Sequence, residues 1–317
     1  EKALGVTFAS RAQSEALSDR HEYARQYACA CRALGYDAVI FERWSTAVFN
    51  NGKSLHGSEI GPIQSPRDFS RFPWDSLHDK FFDIFDEDFS LLCETMPDGM
   101  KAVGGVGNGL FECLQDCVRY SELSIMMFEQ PELFNNIVNA VADTLYSIWK
   151  TFMQKYGEYF CVLRFGDDLG FKTNTLISDD TIRQFIIPYY RRIVDLVHSY
   201  EKPFLLHSCG NLFNVMDDII DSAGIDAKHS NEDEIAPLKT WIEKYGGRIA
   251  LFGGIDMNVL VMQKEDEIKR YVREVLDYAT VSGGFACGSG NSIPDYVPPQ
   301  NYRAMLEAVN EFRGTSL

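Results

Sequence analysis

Residues 160–207 read FCVLRFGDDLGFKTNTLISDDTIRQFIIPYYRRIVDLVHSYEKPFLLH. The stretch opens with a short β-rich run, Phe160–Phe165, and closes with another, Pro203–His207. Between them Asp179–Ser199 carries a long amphipathic pattern behind a clean start signal, Ser178 followed by Asp179 and Asp180. Strand, helix and strand in that order form one unit of a parallel sheet. The same rhythm continues through strands Asp226–His229, Ile249–Phe252 and Gly284–Cys287. The helices that go with them are Leu212–Ser222, Ile235–Tyr245, Lys264–Thr280 and Pro299–Phe312. Short strand-to-strand spacing and the absence of a dinucleotide fingerprint favour a closed (β/α)8 TIM barrel over an open sheet.

Toward the N-terminus the pattern is less regular. Arg20–Leu34 reads as a helix leading into a strand at Asp37–Glu42, Met100–Gly104 as a strand, and Leu133–Tyr156 as a long helix. Phe49–Pro97 is aromatic, contains proline and keeps no steady period, so an insertion at about 48–98 covering one barrel mouth is expected. With no low-complexity linker, residues 1–317 are read as a single domain.

The chain of 317 residues carries a formal charge of −16, which disfavours nucleic acid and anionic lipid as partners. No run of 18 apolar residues occurs, so no membrane span is expected. The chain opens at Glu1 without a basic segment followed by an apolar stretch, so no signal peptide is expected either. The eight cysteines form no small disulfide scaffold and suit a reducing cytoplasm.

Chemistry concentrates where strands end. In Leu206-His207-Ser208-Cys209-Gly210-Asn211, residues two apart project to one side, so His207 and Cys209 can converge on one ion. Cys287, in Ala286-Cys287-Gly288-Ser289-Gly290-Asn291, ends the last expected strand, and barrel strand ends share one mouth. An imidazole and two thiolates make a soft site that selects zinc and leaves a position for water or substrate. Asp167 and Asp168 follow another strand, and strand phase does not settle which one faces inward; Asp168 is the candidate for a polar role in the site, with helix capping as its alternative. Asp256 is a second candidate, with capping of a helix from Met257 onward as its alternative, whereas Glu232 reads as a helix cap. Gly104–Gly109 lacks the ending of a phosphate loop and suggests a backbone close to a bulky ligand, or plain turns. Trp44, Phe49, Phe165, Phe171 and Tyr296 lie near strand ends and could wall an aromatic substrate, while Cys29, Cys31, Cys113 and Cys117 read as structural.

These motifs, with Phe165-Gly166-Asp167-Asp168-Leu169-Gly170, Gly253-Gly254-Ile255-Asp256 and Gly288-Ser289-Gly290-Asn291-Ser292-Ile293-Pro294, resemble the uroporphyrinogen decarboxylase superfamily. The resemblance covers most of the chain, is strongest from Phe165 to Met305, and points to the zinc-dependent, corrinoid-linked methyltransferase branch. It implies a (β/α)8 barrel and a zinc ion held by His207, Cys209 and Cys287, leaving Asp168 and Asp256 as the candidates that strand-end position offers for substrate or fourth-ligand roles. It also implies methyl transfer between a small methylated substrate and a cobamide, and the aromatic residues near the strand ends tilt that substrate toward an aromatic methyl ether. The chain has no Asp-x-His-x-x-Gly motif, so the cobamide is expected on a separate corrinoid protein. The alternatives are thiol methylation of the coenzyme M type, a metal-free tetrapyrrole decarboxylase, and a non-catalytic zinc or corrinoid-protein binding module. The Arg-rich N-terminal motif of the decarboxylases is not visible.

Overall fold

The computed structural model describes residues 17–50, 60–281 and 283–315. Residues 51–59 of the expected insertion lie outside the described residues, as does the N-terminal stretch on which the signal-peptide expectation rests. Seven strands are present among the described residues, where a complete (β/α)8 fold has eight: β1 Val39–Arg43, β2 Ala102–Val106, β3 Phe160–Gly166, β4 Phe204–His207, β5 Ala227–His229, β6 Ala250–Ile255 and β7 Phe285–Ser289. They enter the sheet in chain order. β3 pairs with β4, β5 with β6 and β6 with β7, all parallel, and helices intervene between successive strands, which is the fold of the TIM-barrel class.

Contacts group the chain into two compact units. One contains Phe41–Phe89 and Val103–Ile225, hence β3 and β4; the other contains the described residues up to Ile40, then Ser90–Ala102 and Asp226 onward, hence β5 to β7.

In the β3–β4 unit the register pairs Arg164 with Leu205 and Gly166 with His207. Along β3, Phe165 turns outward onto an aromatic layer, its ring 4.9 Å from Phe204, 5.1 Å from Tyr190 and 6.0 Å from Tyr189. Trp149 and Phe152, from the helix Pro131–Tyr156, extend that layer. Each of these rings is fully or almost fully buried, a gain of about 1.5–3 kcal/mol for a side chain of this size. Phe165 and the equally buried Phe49 therefore belong to the core rather than to a substrate wall.

The helix expected at Asp179–Ser199 is interrupted. Ser178 caps its start by accepting from Thr181 N at 3.1 Å, then Ile182–Ile186 forms one π turn before Ile187–His198 resumes. Pro188 has no N–H to give to the preceding turn, and the widened turn absorbs the loss.

Much of the stretch read as an insertion is helical. Leu77–Thr95 is a helix of 19 residues between β1 and β2. Its Phe81 packs edge-on to Phe85, and its Phe89 rests against Phe41 of β1 and Phe152. The helices Leu110–Val118 and Tyr120–Glu129 were not anticipated from sequence.

In the other unit β6 lies between β5 and β7, with Gly253 beside Cys287 and Ile255 beside Ser289. The helices Glu265–Ala279 and Pro299–Phe312 follow β6 and β7, as expected from sequence. No described helix is long and apolar enough to cross a membrane.

Candidate metal centre

The strand ends of the β3–β4 unit gather Asp168, His207 and Cys209, whose ligand atoms all lie within 4.8 Å of one another. His207 closes β4, and Cys209 stands two residues beyond it on the same side. Cys209 Sγ is 3.6 Å from His207 Nε2, which is 3.8 Å from Asp168 Oδ1. Cys209 N donates to that same oxygen at 2.9 Å, so the carboxylate is anchored to the loop that carries the thiol. His207 is buried, while 44% of the Asp168 side chain faces solvent. A nitrogen, a sulfur and an oxygen converge with one open side.

The phase that the sequence left unresolved is set by the neighbours of Asp167. Asp167 is fully buried and turned outward; its Oδ1 accepts from Glu112 N at 2.8 Å, and its Oδ2 from Phe111 N at 3.0 Å and Tyr190 Oη at 2.8 Å. Asp167 N donates to His207 O at 2.9 Å, tying the end of β3 to β4. Alternation then turns Asp168 inward. Glu112 accepts from Asp168 N at 3.2 Å and from Asn108 Nδ2 at 2.6 Å. Burial raises the carboxyls of Glu112 and Asp167 above the ordinary range, and the Asp167 charge raises Glu112 further. Glu112 and Tyr190 were missed as supporting residues, because only the outward row of β3 and the start of an unanticipated helix bring them to Asp167.

Close backbone approach sets the loops. A Cβ on Gly210, whose φ is +85°, would lie 2.1 Å from Gly170 C, so the loops after β3 and β4 touch through two glycines. The glycine run that began at Gly104 serves packing against the protein itself: a Cβ on Gly104 would meet Phe41 O at 1.9 Å, and one on Gly109 would meet Asp167 at 2.4 Å.

Cys287 and Asp256 are in the other unit. Cys287 lies on β7, where burial pushes its thiol up to about 12. Asp256 caps the helix Met257–Met262: Oδ1 accepts from Asn258 N at 2.7 Å and Oδ2 from Asp233 N at 2.9 Å. Both oxygens are thus occupied by backbone donors. Glu232, expected as a cap, instead offers its carbonyl to Ile235 N and Ala236 N in a turn, and the helix begins at Leu238 behind Pro237. His229 Nε2 is 3.0 Å from Ser289 O. Cys113 and Cys117 are buried in the helix Leu110–Val118, and all eight cysteines are free thiols. Trp44, Phe171 and Tyr296 are exposed, the last in the β5–β7 unit.

Comparison with known proteins gives the family and the fold of the chain. The family model described as uroporphyrinogen decarboxylase (URO-D) matches residues 56–312, most of the chain. A uroporphyrinogen decarboxylase of Syntrophotalea carbinolica is 23% identical over 188 residues, covering 59% of this chain and 51% of that protein. The methylcobamide:CoM methyltransferase MtbA of Methanosarcina mazei is 26% identical over 139 residues, covering 44% of this chain and 39% of that protein. The chain spans about half the length, or less, of these curated relatives. Among solved structures, a methyltransferase from Methanosarcina mazei superposes with a TM-score of 0.72 at 20% identity, over 93% of this chain and 87% of that one, which shows the shared fold.

Proposed function

The chain belongs to the uroporphyrinogen decarboxylase family, and from that premise we propose that it is a zinc-dependent methyltransferase working between a small methylated substrate and a cobamide on a separate corrinoid protein. The observation that carries the proposal is the convergence of Asp168, His207 and Cys209 within 4.8 Å at the ends of β3 and β4. Imidazole nitrogen, thiolate sulfur and carboxylate oxygen are a donor set that fits zinc. His207 and Cys209 would hold it, Asp168 is placed to be a third ligand, and Cys287 is proposed from the sequence as a further sulfur donor. Bound zinc supplies Lewis acidity, drawing charge from an ether oxygen or a thiol sulfur at the site.

The side chains themselves divide the remaining work. Asp168, half in solvent and fixed by Cys209 N, is the group placed to accept the proton of an incoming thiol. His207 is buried, and the Asp167 N–H on its carbonyl fixes the strand end that carries the imidazole. Trp44 and Phe171, both exposed in the β3–β4 unit, offer apolar surface to an aromatic ring, and they support O-demethylation of an aromatic methyl ether. A second reading, methylation of a thiol of the coenzyme M type, is supported by the relative named for methylcobamide and CoM. Free thiols suit a reducing cytoplasm.

The test has two arms. Metal analysis of the purified chain is expected to give stoichiometric zinc that is lost in Cys209→Ala; zinc-free protein would favour decarboxylation. Transfer from aryl methyl ethers to cob(I)alamin, read from the cobalamin spectrum, is expected in the zinc form. A zinc-loaded protein inert with every methyl donor and acceptor would favour the binding module.

A further inference from the structure

The inward row of β3 continues below the candidate metal centre. Phe165 and Asp167 face Tyr190 and its neighbours, so Arg164, Gly166 and Asp168 share the opposite face. Arg164 Nη1 donates to Glu42 Oε2, on β1, at 2.6 Å, with only 16% and 12% of the two side chains exposed. Among the described residues this is the only hydrogen bond of the guanidinium, which carries five N–H donors.

Between that guanidinium and the imidazole stands Gly166. A Cβ there would lie 3.4 Å from His207 Cδ2, 3.6 Å from Gly107 O and 4.0 Å from Arg164 Nη2. Those are ordinary contacts, and the backbone is not in the left-handed region, so neither crowding nor conformation demands glycine. What the missing side chain leaves is room for a heavy atom touching the His207 ring and near Arg164 Nη2.

We propose that Arg164 is a specificity-determining residue, which takes an anionic oxygen group of the methyl-exchanging substrate, a carboxylate or a sulfonate, through the gap at Gly166. This rests on the methyltransferase reading and narrows its substrate class. Planar, weakly hydrated guanidinium is well suited to such oxyanions, and partial burial strengthens the contact. Glu42 fixes the guanidinium and balances its charge while no substrate is bound, but it also competes with an incoming anion.

Calorimetric titration tests this with 3-mercaptopropionate, 2-mercaptoethanesulfonate and neutral 3-mercapto-1-propanol, each against zinc-loaded and chelator-treated protein at fixed ionic strength. At least one of the two acids is expected to bind about tenfold or more tighter than the alcohol, and which one does so identifies the oxyanion. Arg164→Gln should erase that preference while zinc content stays the same. Because that variant leaves Glu42 buried without its partner, Glu42→Gln is the companion: it should tighten the acids and leave the alcohol unchanged. Equal binding of acids and alcohol, no detectable binding of either acid, or a preference that survives Arg164→Gln overturns the role of Arg164. Alcohol binding that is indifferent to zinc would count instead against the metal reading alone.

Discussion

Replacing Gly109 with alanine isolates the packing that holds the candidate centre together. Gly109 has φ −85° and ψ −170°, values that alanine adopts freely, so the substitution strains no backbone angle. Its new Cβ would stand 2.4 Å from both Cβ and Cγ of Asp167. Asp167 cannot retreat without breaking its bonds to Phe111 N, Glu112 N and Tyr190 Oη. Overpacking of this kind costs about 1–3 kcal/mol, and so close a contact belongs at the upper end. Gly247→Ala is the control, since nothing lies within 4 Å of its would-be Cβ. Both replacements reduce the freedom of the unfolded chain by about 0.4–1 kcal/mol, and that contribution cancels between them. The difference left is the clash, with a small addition because alanine is poorer than glycine before a helix. Each kcal/mol moves the thermal midpoint by about 2–4 °C in a chain of comparable size. Thermal unfolding of the two variants should therefore differ by about 5 °C or more, with Gly109→Ala the lower. Zinc titration should show weaker binding in Gly109→Ala as well, because Asp168 directly follows the displaced residue. Midpoints that agree to within about 0.5 kcal/mol of stability would refute the view that Asp167 is wedged in place.

Tyr190→Phe removes one of three donors to the buried Asp167 carboxyl and should cost about 1.5–3 kcal/mol in denaturant unfolding; an unchanged midpoint would mean that this bond contributes nothing. Asp256→Ala should cost about 0.5–2 kcal/mol through loss of the cap yet leave zinc content at the wild-type level, and a loss of metal would instead place Asp256 in the centre. Zinc at about 100 times its dissociation constant should add about 2.7 kcal/mol of stability, reversed by a chelator, and His207→Ala should show neither response.

Strands β3 to β7 were legible because each is a short β-rich run bounded by turn residues and followed by an amphipathic helix. The His207–Cys209 pairing was equally open to reading, since residues two apart at a strand end share a side. What stayed hidden depends on contacts distant in sequence. Leu77–Thr95 sets Phe81, Phe85 and Phe89 four residues apart, but the proline-containing aromatic stretch read together with it hid that period. Only the three donors around Asp167 decide the phase of the Asp167-Asp168 pair. The aspartate at 256 was drawn toward the site by its strand-end position, while its hydrogen bonds are those of a helix cap. Of the five aromatics weighed between core and substrate wall, Phe49 and Phe165 fall in the core, a division that composition does not make.

The glycine pair at 170 and 210 carries a consequence for how the two loops can change. Main chain meets main chain there, and Asn211 N is bonded to Phe171 O at 2.7 Å, so neither segment can lengthen or acquire a bulky residue without dislodging the other. A change in one loop is thereby transmitted to the other, so the arms that carry Asp168 and Cys209 shift together or not at all.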